Sequence, residues 1–239
     1  MPLARRYVDY RLARGFDGVF VAGLEAARAS ATRGPLIVAA NHVAWWDPLV
    51  AVAIDARLGT DGYALMDAVS LARLPFFAAV GALQLRRDRP RAAHDDVLAA
   101  AALLDRPGRA VWIYPQGKQR PAHLRPLGLA SGVRLLAAAS GAPVLPLSVS
   151  YLYGEAPQPA IYATFGEPLT ASSARAMQRE LLPELEAALI AGLDHNDAFA
   201  TRGEGAHQPL WAMSHRSSVP LGGRLLARAG GRPAGGGAS

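Results

Sequence analysis

The chain contains no cysteine. That excludes disulfides, thiolate zinc sites and cysteine nucleophiles, and it fits a reducing compartment. Lysine is almost absent: of 25 basic residues only Lys118 is a lysine. No Gly-x-Ser-x-Gly stretch offers a serine nucleophile on a strained turn, and no fixed-period repeat is visible. The opening "MPLARRYVDYRLARGF" is basic but lacks an apolar core of signal-peptide length and a small-residue cleavage site. One uncharged run, Leu135 to Gly154, has the length of a spanning helix. Gly141, Pro143 and Pro146 interrupt it, and its second half alternates and is β-branched, so it reads as a helix end, a turn and a buried strand. The expected protein is soluble or lies on a membrane.

With 239 residues, 51% of them apolar, the chain can build one domain with a sizeable core. The net charge is +6 and the pI about 10.1. Ala, Arg, Gly and Pro are all abundant, so coding bias accounts for much of the arginine excess; its placement is more informative. Arg5, Arg6, Arg11 and Arg14 crowd the start, and Arg86, Arg87, Arg89 and Arg91 follow a strand-like run. Arg106 to Arg125 holds five basic residues and no acid. Such a surface suits anionic lipid, a phosphorylated ligand or nucleic acid. No aromatic-basic interleaving of a nucleic-acid module is present, so no nucleic-acid partner is expected.

Helix and strand patterns alternate. "PLARRYVDYRLARGF" predicts an N-terminal helix, and "GVFVAGL" and "PLIVAANH" predict strands, the second ending at His42. Asp47 suits an N-cap and Pro48 a first helical position, which predicts a helix over 48–58. Strands follow at "YALMD", after "FFAAVGALQLR", and at "RAVWIYP", "PVLPLSVSYLY" and "AIYATFGEPL"; helices follow at "DDVLAAAALLD", "GVRLLAAAS" and "SSARAMQRELLPELEAALIAGL", where Pro183 breaks or restarts the last. The fold class is α/β, with a mixed, mostly parallel sheet flanked by helices. Ligands in such folds gather beyond the carboxyl ends of strands, which puts His42 and Gln116 on one rim. The domain is expected over 1–193, with its core at about 16–190, and 194–239 as an extension. There, "GGRPAGGGAS" reads as a disordered tail, and "WAMSHRSSVPLGGRLLARAG" as an unstructured stretch or a basic segment that touches lipid.

Four stretches can carry chemistry. In "ANHVAWWDPL", Asp47 can fold back onto His42, fix its tautomer and make it a general base; alternatively Asp47 only caps its helix. Trp45 and Trp46 are core packing or a lipid-facing anchor. In "FFAAVGALQLRRD" the paired arginines either bind phosphate or close a strand at the surface. In "WIYPQGKQRP", Gly117 permits an unusual backbone angle and the basic residues can clamp an anion, or this is a strand-turn with a charged tip. "GAPVLPLSV" can shape an apolar wall.

Together, in this order, the four resemble the lysophospholipid or glycerolphosphate acyltransferase family over about residues 16–190. Asn41, His42 and Asp47 match its Asn-His-x4-Asp motif, Gly81 to Arg87 its second, Tyr114 to Gln119 its Phe-Pro-Glu-Gly-Thr-Arg motif, and Pro143 and Pro146 its fourth. The resemblance implies a glycerolphosphate acyltransferase-like fold in which His42 takes a proton from an acceptor hydroxyl and Asp47 orients it. The hydroxyl then attacks an acyl-CoA or acyl-carrier-protein thioester with no acyl-enzyme, metal or cofactor. Asn41, Arg87, Gln116, Gly117, Lys118 and Arg120 are the implied substrate-binding residues, with Arg87 on the acceptor's phosphate. The implied partners are a lipid acceptor, the thioester donor and an anionic membrane surface, at the inner face of the cytoplasmic membrane. The third motif departs: Gln116 stands where the family has Glu, and Gln119 where it has Arg. This weakens glycerol phosphate as acceptor and leaves open a hydroxyl on another lysolipid or a glycolipid. Loss of the Glu also motivates one alternative, a catalytically weak lipid or acyl-carrier binding protein of the same fold; a thioesterase is another, with water in place of the acceptor.

Overall fold

The computed structural model describes residues 2–170 and 179–210. In chain order the elements are α1 (Pro2–Gly15), β1 (Val19–Ala22), α2 (Leu24–Arg33), β2 (Leu36–Ala40), α3 (Asp47–Leu58), β3 (Asp61–Asp67), α4 (Ala68–Arg73), α5 (Phe76–Ala79), β4 (Ala82–Leu85), α6 (Pro90–Ala101), β5 (Arg109–Ile113), α7 (Gly132–Ser140), β6 (Val144–Leu152), β7 (Ala160–Phe165), α8 (Leu181–Arg202) and β8 (Gln208–Pro209). The eight strands run in the order β4-β3-β5-β2-β6-β7-β1-β8. β4, β3, β5, β2 and β6 are mutually parallel; β7 is antiparallel to β6, β1 parallel to β7, and β8 antiparallel to β1. The sheet is mixed and mostly parallel, as the alternating pattern predicts.

β2 is buried at all five positions, and β5 at four of its five. Such strands must be covered on both faces. On one face Val8 and Leu12 of α1, Ala27 and Ala31 of α2, and Leu49 and Ile54 of α3 pack on Val38, Ala40 and Trp112. On the other, Val97 of α6, Leu136 of α7, and Leu185 and Leu189 of α8 pack on Ile37, Ala39 and Val111. The site is positioned by this frame: β2 and β5 pair in register, Ala39 against Ile113, so the loops that leave them emerge side by side.

Several expectations are corrected. The turn after "GVFVAGL" is followed by a helix, α2, which the sequence reading missed. Residues 76–79 form a helical turn before β4. The boundary expected near Leu193 falls inside α8, which continues to Arg202 before the chain returns to the sheet as β8. Pro183 lies in the first turn of α8, where a missing N–H costs nothing. Residues 171–178 and the tail from 211, including the basic segment, lie outside the described residues.

The α8 continuation is held by a buried polar network. Asn196 is fully buried; its Nδ2 donates to the Ser148 carbonyl (3.1 Å), Ser150 Oγ (3.2 Å) and the Tyr162 carbonyl (3.2 Å). Its Oδ1 accepts from Thr164 Oγ1 at 2.7 Å and lies 2.9 Å from His207 Nε2. His207 Nε2 therefore carries the proton, and the buried Nδ1, which has no hydrogen-bond partner among the described residues, does not. Burial, with the His195 ring stacked on it, pulls the His207 pKa from 6.5 down to about 4. A protonated His207 is favoured more in the unfolded chain than in the fold, so its contribution to stability is present above about pH 6.5 and is lost as pH falls towards 4. Denaturation midpoints are expected to drop across that window, and less so in His207→Gln, which keeps a donor but does not titrate.

Candidate active site

β2 ends at Ala40, and the next residue anchors the loop that follows. Asn41 is buried, its Nδ2 donating to the Val149 carbonyl (2.9 Å) and its Oδ1 accepting from Val149 N–H (2.7 Å). Both ends of the amide are spent on β6, so Asn41 holds the strand end and does not line the cavity described below. His42 comes next, its backbone N–H donating to Gln116 Oε1 (2.7 Å) and its carbonyl accepting from Arg120 N–H (2.8 Å). The loops after β2 and β5 are thus tied directly together.

Asp47 is not the N-cap of α3. Trp46 holds that position, and the Asp47 side chain turns back into the loop. Its Oδ2 lies 2.6 Å from His42 Nδ1 and accepts from Val43 N–H (2.7 Å) and Ala44 N–H (3.0 Å). Its Oδ1 accepts from Tyr151 Oη at 2.6 Å, and Tyr114 Oη donates to its backbone carbonyl at 3.0 Å. Burial, with the Asp47 charge beside them, pushes both tyrosine hydroxyls well above 10, so both remain protonated donors. The carboxylate side chain is only 1% exposed, and four donors satisfy it. As an acceptor it places the His42 proton on Nδ1, which leaves Nε2 as a free base. The sequence reading missed Tyr151 and the hydroxyl of Tyr114, which it placed only in the third motif; neither position carries a sign that its hydroxyl faces Asp47.

His42 lies at a cavity of about 760 Å³. Pro48 and Val52 of α3, Ala64 and Met66 of β3, and Phe77 supply apolar wall, while Arg87, Gly117, Lys118 and Gln119 line its polar side. Arg87 Nη1 donates to the Gly117 carbonyl. Gly117 has φ +67°, which favours glycine, and a Cβ there would sit 2.9 Å from the Arg87 guanidinium and push it aside. The paired arginines divide: Arg86 forms a bidentate pair with Asp96, with a contact at 2.6 Å that raises its pKa and lowers that of the carboxyl, while Arg87 stays at the cavity. The tryptophans divide too. Trp46 packs edge-on against Phe16, ring centroids 5.0 Å apart, and Trp45 is 47% exposed at the cavity mouth.

Two expected binding residues are engaged elsewhere. Gln116 touches the cavity, but it is 8% exposed and its Nε2 donates to the Leu127 carbonyl (3.2 Å). Arg120 donates to the same carbonyl (2.9 Å) and is not part of the cavity wall. Their amide and guanidinium hold the 116–128 loop. A glutamate at 116 would set an oxygen against the Leu127 carbonyl where a donor is needed. Gln116→Glu is therefore expected to lower stability by about 1–3 kcal/mol, read by urea denaturation, and not to change which acceptor is used. "GAPVLPLSV" also differs from expectation: it forms the turn after α7 and the centre of β6, and no residue of it lines the cavity. Nor is the stretch from Arg106 to Arg125 a free basic patch. Arg109 pairs with Asp61 at 3.4 Å and Arg106 with Asp105 at 3.5 Å, while Lys118 is exposed at the rim.

No group of acidic or histidine side chains that could hold a metal is found among the described residues, and no helix among them is long and apolar enough to cross a membrane. The fold resembles the crystal structure of the 1-acyl-sn-glycerophosphate (LPA) acyltransferase PlsC from Thermotoga maritima, with a TM-score of 0.56 and 18% identity over 81% of this chain and 78% of that one. No curated protein matches the sequence. The acyltransferase family model matches residues 18–150, more than half of the chain and the whole of the β2, β3, β4 and β5 framework around His42. The chain belongs to the acyltransferase family.

Proposed function

We propose that this enzyme moves a fatty acyl group from a thioester, acyl-CoA or acyl-carrier protein, to a hydroxyl of a lipid acceptor. The observation that carries the reading is the His42–Asp47 pair: Nδ1 is held at 2.6 Å by a buried carboxylate and the ring lines the cavity. His42 Nε2 takes the proton of the acceptor hydroxyl as its oxygen attacks the thioester carbonyl carbon. The carbon–sulfur bond breaks, and the imidazolium returns the proton to the leaving thiolate. Asp47 orients the ring and stabilises the imidazolium in between; such a base contributes about 10²–10⁴ in rate. The apolar wall takes the acyl chain, and Arg87 and Lys118, at the polar side, take a phosphate of the acceptor or of the donor. Asn41, Gln116 and Arg120 act through the loops they hold, by positioning His42 and Gly117. No metal or cofactor takes part in this scheme. The PlsC structure, whose title names 1-acyl-sn-glycerophosphate, supports a lysolipid acceptor.

A membrane surface fits the exterior. Leu3, Tyr7 and Tyr10 of α1 and Trp45 are exposed large side chains, and α1 also carries Arg5, Arg6, Arg11 and Arg14. Binding to the anionic inner face of the cell membrane is the location this suggests. Co-sedimentation with anionic vesicles is expected to weaken as salt rises from 0.05 to about 0.5 M; salt-insensitive binding would assign the contact to apolar insertion. The function itself is tested by a screen of lysolipid and glycolipid acceptors with labelled acyl-CoA, read by lipid mass spectrometry. An ester product on one acceptor class is expected, and absence of any ester would refute the reading.

A further inference from the structure

One arm of the cavity runs from His42 down the inner face of α3. Pro48, Ala51, Val52 and Asp55, spaced i, i+3, i+4, i+7, line it from the helix. All of β3, Asp61 to Asp67, lines the cavity, and the alternate residues Gly62, Ala64 and Met66 lie on the face towards α3. The two walls give the same length. Asp47 to Asp55 is eight helical residues, about 12 Å, and Gly62 to Met66 is four strand residues, about 13 Å.

The far end of this arm is polar and charged. The Asp55 carboxylate is buried; its Oδ1 accepts from Thr60 Oγ1 and from Trp112 Nε1 (3.2 Å), and the Gly62 backbone also contributes a hydrogen bond. Arg5 of α1 approaches Oδ2 at 3.9 Å, and its own side chain is 43% exposed, so it stands at the outer end. A Cβ on Gly62 would collide with the carboxylate, so the strand carries glycine where the charge sits. Burial is the largest influence on the Asp55 carboxyl and raises its pKa.

We infer that Asp55 and Arg5 form a polar terminus to the acyl arm, which selects a chain of about ten carbons carrying a hydroxyl at or next to its far end. This rests on reading the cavity as the acyl site of a transfer centred on His42. An extended chain advances about 3.5 Å per three bonds, hence about 1.2 Å per bond, so 12–13 Å holds about ten. A terminal methyl group placed there would strip the carboxylate of its remaining solvent and offer no hydrogen bond in return. A terminal hydroxyl can donate to Asp55 or accept from Arg5. A longer unsubstituted chain has to part the Arg5–Asp55 pair.

The test is displacement of a fluorescent acyl-CoA from the full chain by decanoyl-CoA, 10-hydroxydecanoyl-CoA and hexadecanoyl-CoA, which needs no turnover. The hydroxylated donor is expected to bind about 10- to 100-fold more tightly than decanoyl-CoA, with hexadecanoyl-CoA weakest. Asp55→Asn should cut the preference for the hydroxyl. Arg5→Ala, a change at a half-exposed side chain outside the core, should improve hexadecanoyl binding. Equal binding of the two ten-carbon donors by the unaltered protein, or hexadecanoyl binding no tighter in Arg5→Ala than in the unaltered protein, would overturn the inference. If the binding order is as expected but no ester forms in the acceptor screen, the transfer reading fails and the polar terminus stands.

Discussion

His42→Ala is expected to lower acyl transfer by about 10²–10⁴ while the protein melts within a few degrees of the unaltered chain. The loss follows from the free Nε2 at the cavity: no other imidazole is among its lining residues, and the substitution removes the proton acceptor that Asp47 orients. Survival of the fold follows from Asp47. Without the ring, its carboxylate still accepts from Val43 N–H, Ala44 N–H and Tyr151 Oη, so no buried charge is orphaned. The measurement is initial rate per folded molecule, with circular dichroism melting as the control. Turnover within tenfold of the original would remove His42 from the chemistry.

Asp47→Ala is expected to lose both activity and stability. The rate should fall at least as far as in His42→Ala, since the ring loses its tautomer and its partner charge. The fold should also weaken, because the carboxylate serves four donors, and two of them are backbone N–H groups of the Val43–Ala44 turn. Buried donors left without an acceptor cost about 1–3 kcal/mol each. Allowing for water reaching some of them, a net loss of about 3 kcal/mol corresponds to a Tm lowered by roughly 6–12 °C. Asp47→Asn separates the two effects. Its amide oxygen can keep the trio on the Oδ2 side while its NH2 turns to Tyr151, so stability should recover further than rate. If Asp47→Ala melted with the original protein, the buried carboxylate would not be the hub of this loop.

What could be seen in the sequence was what is local. His42 and Asp47 are five apart, and the strands that deliver His42 and Gln116 to one rim are nearly pure runs of apolar residues, so rim and pair were both legible. The partners that complete the pair come from far along the chain. Tyr151 is 104 residues from Asp47, and Val149 is 108 from Asn41, and no spacing rule connects them. Side chains that bond to backbone carbonyls were misjudged for a related reason. The family resemblance implies Gln116 as ligand-binding and its charge suggests the same for Arg120, yet both spend donors on Leu127. The helix α2 escaped because it buries only Ala27, Ser30 and Ala31, side chains too small to give an apolar period. Asp-Pro suits a helix start, which left a cap as the alternative role for Asp47; the helix does start there, but Trp46 holds the cap position and the carboxylate faces His42.

Acyl transfer, thioester hydrolysis and simple binding predict different fates for the thioester at this site. A binding protein of this fold would need Asp47 only to hold the Val43–Ala44 turn and would leave the thioester intact. A thioesterase would use the same pair on water. The direct measurement is the release of free thiol from acyl-CoA by the purified protein, followed with and without a lipid acceptor and matched against ester formed. The account predicts one thiol per ester, release that depends on acceptor, and loss of both in His42→Ala. Thiol release at the same rate without acceptor, or persisting in His42→Ala, would contradict it.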